Sequence, residues 1–179
     1  MNKFMVGLLI LIIGCAHGMS SSGAASHFSV NMPEGWRQLN TDKYFLITKD
    51  GAFLQYALVQ ERSIHKAFKH TKKKLKKGML PQEAADVILA EIGSDKNISN
   101  FELIENHPNT IDGHEGFKIL FTYKDEDGSA FKTLYYGFVN DETFYNLRYT
   151  AAQRYYFERD LLTFEKFVDS FMLIEANEN

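Results

Sequence analysis

Residues 130–151 read Ala130-Phe131-Lys132-Thr133-Leu134-Tyr135-Tyr136-Gly137-Phe138-Val139, then Asn140-Asp141-Glu142, then Thr143-Phe144-Tyr145-Asn146-Leu147-Arg148-Tyr149-Thr150-Ala151. Two runs rich in aromatic and β-branched residues on either side of a short polar break predict a β-hairpin. Side chains alternate along a strand, so Phe131, Tyr135 and Val139 fall on one face of the first run and Leu134, Tyr136 and Phe138 on the other. A strand that is apolar on both faces belongs in the interior of a sheet, with helices covering both sides.

Working upstream, Asn100 to Glu105 and Glu115 to Tyr123 are two more strand-like runs, and Asp125-Glu126-Asp127-Gly128 is a hairpin loop. Four strands in succession predict an antiparallel meander. Nearer the start, Phe28 to Met32 alternates and stops at Pro33-Glu34-Gly35, followed by Trp36. Tyr44 to Thr48 and Phe53 to Glu61 flank Lys49-Asp50-Gly51-Ala52, where Asp-Gly marks a turn, and Leu54, Tyr56 and Leu58 share a face.

The apolar period then changes. Ile64, Phe68, Thr71, Leu75 and Met79 make one helical stripe with Gly78 at a C-cap position, which predicts a first helix. A second helix starts at Pro81, carries Glu83 and Asp86 near its positive end, buries Ala84, Ala85, Ile88, Leu89 and Ile92, and closes at Gly93. Phe157, Leu161, Phe164, Val168 and Phe171 make a third core-facing stripe. The order β-β-β, α-α, β-β-β-β, α predicts an α+β protein, an α/β/α sandwich on a twisted, mainly antiparallel sheet of about six or seven strands with helices on both faces.

That arrangement resembles the PsbP-like superfamily, which is named for an extrinsic subunit of photosystem II, and small bacterial lipoproteins related to it. The resemblance is carried by the opening strand running into Pro33-Glu34-Gly35-Trp36, by the Asp50-Gly51 hairpin, and by Tyr145-Asn146-Leu147-Arg148-Tyr149-Thr150-Ala151 followed by the helix to Ser170-Phe171. It spans about Phe28 to Leu173 and consists of packing motifs. It implies a non-catalytic scaffold that binds other proteins, and it transfers no functional residue.

The chain opens with Met1-Asn2-Lys3 and an uncharged run from Phe4 to Ile13, the pattern of a secretion signal. Ten helical residues rise about 15 Å, half of a bilayer's hydrocarbon core, too short to span it. Ile12-Ile13-Gly14-Cys15 resembles the bacterial lipobox, in which the cysteine is lipidated and becomes the first residue of the mature chain. Cys15 is the one cysteine in 179 residues, so no intramolecular disulfide forms. Acyl chains on Cys15 would supply a stable membrane anchor, and Ala16 after the cysteine resembles the outer-membrane sorting pattern. The expected organisation is a signal peptide over 1–14, a lipidated Ser/Gly/Ala-rich tether over 15–26, one domain over 27–174 and a polar tail over 175–179.

Seven lysines, Lys66, Lys69, Lys72, Lys73, Lys74, Lys76 and Lys77, lie within twelve residues, with His65 and His70 among them. Removing Lys3 with the signal leaves 19 of the 20 Lys and Arg against 23 Asp and Glu, a formal charge of −4, which would be −11 without these seven. On the expected amphipathic helix they would meet anionic lipid headgroups or an acidic protein partner, since a charged membrane attracts each nearby lysine by about 1 kcal/mol. The plain alternative is a solvated helix face. Nucleic acid is a poor fit, because no aromatic residues interleave the lysines for base stacking.

Other candidates are weaker. Glu105, His107, Asp112, His114 and Glu115 bracket a turn over Pro108 to Gly113 but match no metal-ligand spacing. Asp125 to Gly128 lacks the alternating oxygen ligands of an EF-hand loop. Tyr135, Tyr136, Tyr145, Tyr149, Tyr155 and Tyr156 would either line a groove for a small molecule or sit in the core. No Gly-x-Ser-x-Gly elbow, phosphate-binding glycine loop or His-Glu-x-x-His occurs, so no catalytic residue, metal or cofactor is assigned. The expected protein is a periplasm-facing, membrane-anchored binding or assembly lipoprotein. Its rival is a small-molecule binder or hydrolase using the tyrosine-rich half of the sheet.

Overall fold

The computed structural model describes residues 27–174. The strands are β1 (Phe28–Ser29), β2 (Arg37–Leu39), β3 (Phe45–Thr48), β4 (Gln55–Ser63), β5 (Ser99–Ile111), β6 (His114–Lys124), β7 (Ala130–Asn140), β8 (Thr143–Ala152) and β9 (Met172–Leu173), and the helices are α1 (Pro81–Gly93) and α2 (Tyr156–Asp169). Seven strands form one sheet in the order β2-β3-β4-β8-β7-β6-β5, with every neighbouring pair antiparallel. After β4 the chain crosses to the far edge through α1 and returns by the expected meander, so that β8 closes against β4 at the centre. β1 pairs with β9 and ties the two ends of the domain together.

The alternation of side chains sends each strand's residues to two cores. Ala57, Val59, Leu134, Tyr136, Phe138, Leu147 and Tyr149 pack beneath Phe157, Phe164 and Phe167 of α2, with Trp36 and Phe28 at the margin. On the other face Phe117, Ile119, Phe121, Tyr135 and Phe144 pack beneath Ala84, Ala85, Val87 and Ile88 of α1. The sandwich with a helix on each face is therefore the observed architecture, and the doubly apolar β7 is an interior strand. Pro81 opens α1, and Glu83 accepts a 2.9 Å hydrogen bond from the Leu80 amide ahead of it.

One expected helix does not form. Residues 64–80 are turns and irregular chain, although Ile64 and Leu75 are buried and Phe68 and Met79 are partly buried in the α1-side core. Anchors four, seven and four residues apart mimic a helical stripe, but the lysines oppose a helix. Lys69/Lys73, Lys72/Lys76 and Lys73/Lys77 would be like-charged i,i+4 neighbours, and no acidic residue occurs between 64 and 80 to offset them.

β5 also runs further than expected, through Pro108 to Ile111, and the turn into β6 is only Asp112-Gly113. Both turn residues have positive φ, 47° and 76°, as a two-residue hairpin of this kind requires. Proline is tolerated there because β5 is an edge strand, whose exposed polar residues and register shifts discourage pairing with another chain.

Candidate functional site

All seven lysines of the 64–80 loop are exposed. The loop is nonetheless held at defined points. Glu91 on α1 accepts hydrogen bonds from the His70 amide (2.9 Å), the Thr71 amide (2.8 Å) and the Thr71 hydroxyl (2.9 Å). Burial works to raise the Glu91 pKa, but these donors outweigh it and hold the carboxyl below its ordinary range. Arg62 donates to the Lys66 and Ala67 carbonyls at 2.9 and 2.7 Å and stacks over Phe68. Among the described residues Lys77 pairs with Asp141 at 2.9 Å, while the other six lysines have no carboxylate partner. The result is a positive surface whose backbone and apolar anchors are fixed and whose charges face solvent.

The remaining sequence candidates are dispersed. His107 lies opposite Lys118 well up β5, with Glu105 3.6 Å away, while His114 stacks on Phe138 at 5.1 Å and Asp112 accepts a 2.8 Å bond from the Leu173 amide. Among the described residues no three His, Cys, Asp or Glu side chains are grouped to hold a metal ion. Asp125 caps its own turn by accepting from the Ser129 amide at 2.8 Å. The six tyrosines do not share a groove: Tyr136, Tyr145 and Tyr149 are buried on the α2 side, and Tyr135 is buried on the other. Cys15, its tether and the 175–179 tail lie outside the described residues. No helix among the described residues is long and apolar enough to cross a membrane.

A polar cluster joins the first hairpin to α2. Asp160 is buried, accepts from Gln55 Nε2 and Arg159 Nε at 2.7 Å each, and faces Lys49 Nζ at 3.4 Å. Arg159 also holds Asp50, whose carboxyl is lowered first by that hydrogen bond. Every charge here has a partner, which makes it a strut between elements.

Arg148 is different. It projects from the central strand β8 on the α1 side, between Leu58 of β4 and Tyr135 of β7. α1 lies over β5, β6 and β7. Among the described residues the tyrosines Tyr56, Tyr135, Tyr123 and Tyr44 act on the guanidinium, and no carboxylate pairs with it. Its Nε is sealed from solvent without a hydrogen-bond partner, while the side chain as a whole stays only partly buried. The Tyr56 ring lies 5.9 Å from Cζ, and Tyr44 is 38% exposed. Burial pushes the Tyr123 hydroxyl up to about 12 and raises Tyr135 as well, so both remain neutral and neither is a counter-ion. Sequence reading passed over this residue. The available sign was a charged side chain alternating with Asn146 and Thr150 in a strand otherwise dense with aromatics.

The fold so described is α+β and is shared with PsbP-like structures. The chain is similar to the solution structure of cyanobacterial PsbP (CyanoP) from Synechocystis sp. PCC 6803, with a TM-score of 0.58 and 14% identity over 89% of this chain and 99% of that one. It is also similar to the Ran-binding protein Mog1p of Saccharomyces cerevisiae, with a TM-score of 0.56 and 8% identity over 83% and 91% of the two chains. A third similar structure is LpqN of Mycobacterium tuberculosis, involved in cell envelope biogenesis, with a TM-score of 0.55 and 15% identity over 83% of each chain. At these identities the likeness is one of fold. No family model matches the chain, and no curated protein matches it.

Proposed function

We propose that this protein is a non-catalytic binding or assembly module, anchored by lipid on Cys15, facing the periplasm, and held in the outer membrane. The observation that carries the binding role is the 64–80 loop, where seven exposed lysines sit on a segment pinned by Glu91, Arg62 and buried Ile64 and Leu75. A surface of fixed shape and one sign of charge suits an anionic partner, either lipid headgroups beside the anchor or an acidic protein. The Ran-binding role of Mog1p supports a binding use of this fold.

The test uses the chain with Cys15→Ala, so that lipid does not hold it, and vesicles of phosphatidylglycerol with phosphatidylcholine. Changing Lys72, Lys73, Lys74, Lys76 and Lys77 to Gln should cut co-sedimentation at low salt by about tenfold or more, and the difference should shrink as salt is raised. Equal sedimentation of the two proteins would leave an acidic protein as the partner. That case is read by pull-down from native membranes with the same variants, and a specific protein captured equally by both removes the loop's role.

A further inference from the structure

We propose that Arg148 is the receptor for a carboxylate group, carried on an aromatic or apolar body that lies against Tyr56 and Tyr44. A guanidinium drawn out of water is unfavourable unless an anion or a set of acceptors faces it. Arg62, two turns of the pleat away on the same face of β4, follows that rule by donating to two loop carbonyls. Arg148 does not: it forms no ion pair or hydrogen bond with the described residues, and its Nε is enclosed. Its Nη groups therefore keep a fork open to an incoming ligand.

The chemistry of the surroundings selects the ligand. One permanent positive charge matches a single negative charge, and the planar fork matches the two oxygens of a carboxylate. The neutral tyrosines add hydroxyl donors and ring faces, and Arg62, the other cation acting on Tyr135, has donors committed to the Lys66 and Ala67 carbonyls, so Arg148 alone offers a fork to the ligand. Tyr44 and the Tyr56 ring leave apolar surface beside the charge, which suits an aromatic or aliphatic body attached to the acid. The site is separate from the lysine loop, so its test and the vesicle test fail independently.

The mature lipidated chain in non-ionic detergent is titrated with phenylacetate while the Arg148 Nε–H resonance is followed. A saturable shift is expected, with none from phenylacetamide, which has the same body and no charge. Calorimetry should show affinity about tenfold weaker or more in Arg148→Gln, and reduced in Arg148→Lys, which keeps the charge but loses the fork. Tyr44→Ala should weaken binding without altering the charge. A short peptide ending in a free phenylalanine carboxylate, compared with its amide, separates the sources: tighter binding of the free-acid peptide than of phenylacetate points to a polypeptide C-terminus, and the reverse to a small acid. No saturable response to phenylacetate or to the free-acid peptide overturns the proposal. So does binding of the amides as tight as that of the acids, or tighter binding of phenyl phosphate.

Discussion

At Gly137 the two inner strands come close enough that a side chain has no room. A Cβ there would lie 2.5 Å from Phe117 Cζ and 2.9 Å from two ring atoms of Phe144, so both rings pack directly on the β7 backbone. Gly137→Ala should lower stability by about 1–3 kcal/mol by overpacking, read as a drop in the denaturation midpoint, and Phe117→Leu in the same chain should recover part of it. Glu91 is the second residue whose chemistry makes a prediction. Its folded pKa lies below the unfolded value of 4.5, so its contribution is complete above that value and is lost as pH falls through the folded one. Glu91→Gln should therefore cost about 1 kcal/mol near neutral pH and nothing in strong acid, measured by urea unfolding across pH. Trypsin should also cut the lysine loop faster in that variant. The glycine in an aromatic strand and the glutamate on a helix are visible in the sequence, but neither shows what it touches.

The 64–80 segment shows why an apolar period alone does not make an element. Its four anchors satisfy a helical stripe, yet the chain between them carries like charges at helical neighbours and finds better partners in Glu91 and the α1-side core. A peptide of residues 62–80 should show little helix by far-UV circular dichroism at neutral pH, and should gain helix as pH passes the lysine range near 10.4, where the repulsion disappears. Retained helix at neutral pH would contradict this account. α1 and α2 needed no such help, because Pro81 with Glu83 and the Phe157, Phe164 and Phe167 stripe point the same way as the packing does. The short strands β2 and β9 escaped reading for the opposite reason. Two or three residues carry no period, and they pair only because the turns at Gly35 and the end of α2 deliver them to a partner.

For the whole molecule, the ends of the domain meet at β1 and β9, with the Ile174 amide donating to the His27 carbonyl at 2.8 Å. A chain anchored through Cys15 would thus be tethered next to the place where the domain closes. Cells given labelled palmitate should incorporate it into this protein, and Cys15→Ala should abolish both the label and membrane retention; unchanged labelling would remove the lipid anchor. The absence of disulfides leaves the two aromatic cores to hold the domain, so reducing agents should not shift its melting temperature.

The sequence by itself determined the fold class, the meander, two of the three expected helices, and the sandwich with two covered faces, because these follow from side-chain periods and turn residues acting over short distances. It also held the lipobox-like pattern and the concentration of lysines. The tertiary structure alone decided that the lysines lie on a pinned loop, that the histidines and acids near Gly113 stay apart, and that β8 meets β4 in the centre. That last pairing placed Arg148 among tyrosines from four separate segments, with no acid paired to it among the described residues. Such surroundings depend on residues as far apart in the chain as Tyr44 and Arg148, and no local pattern encodes them.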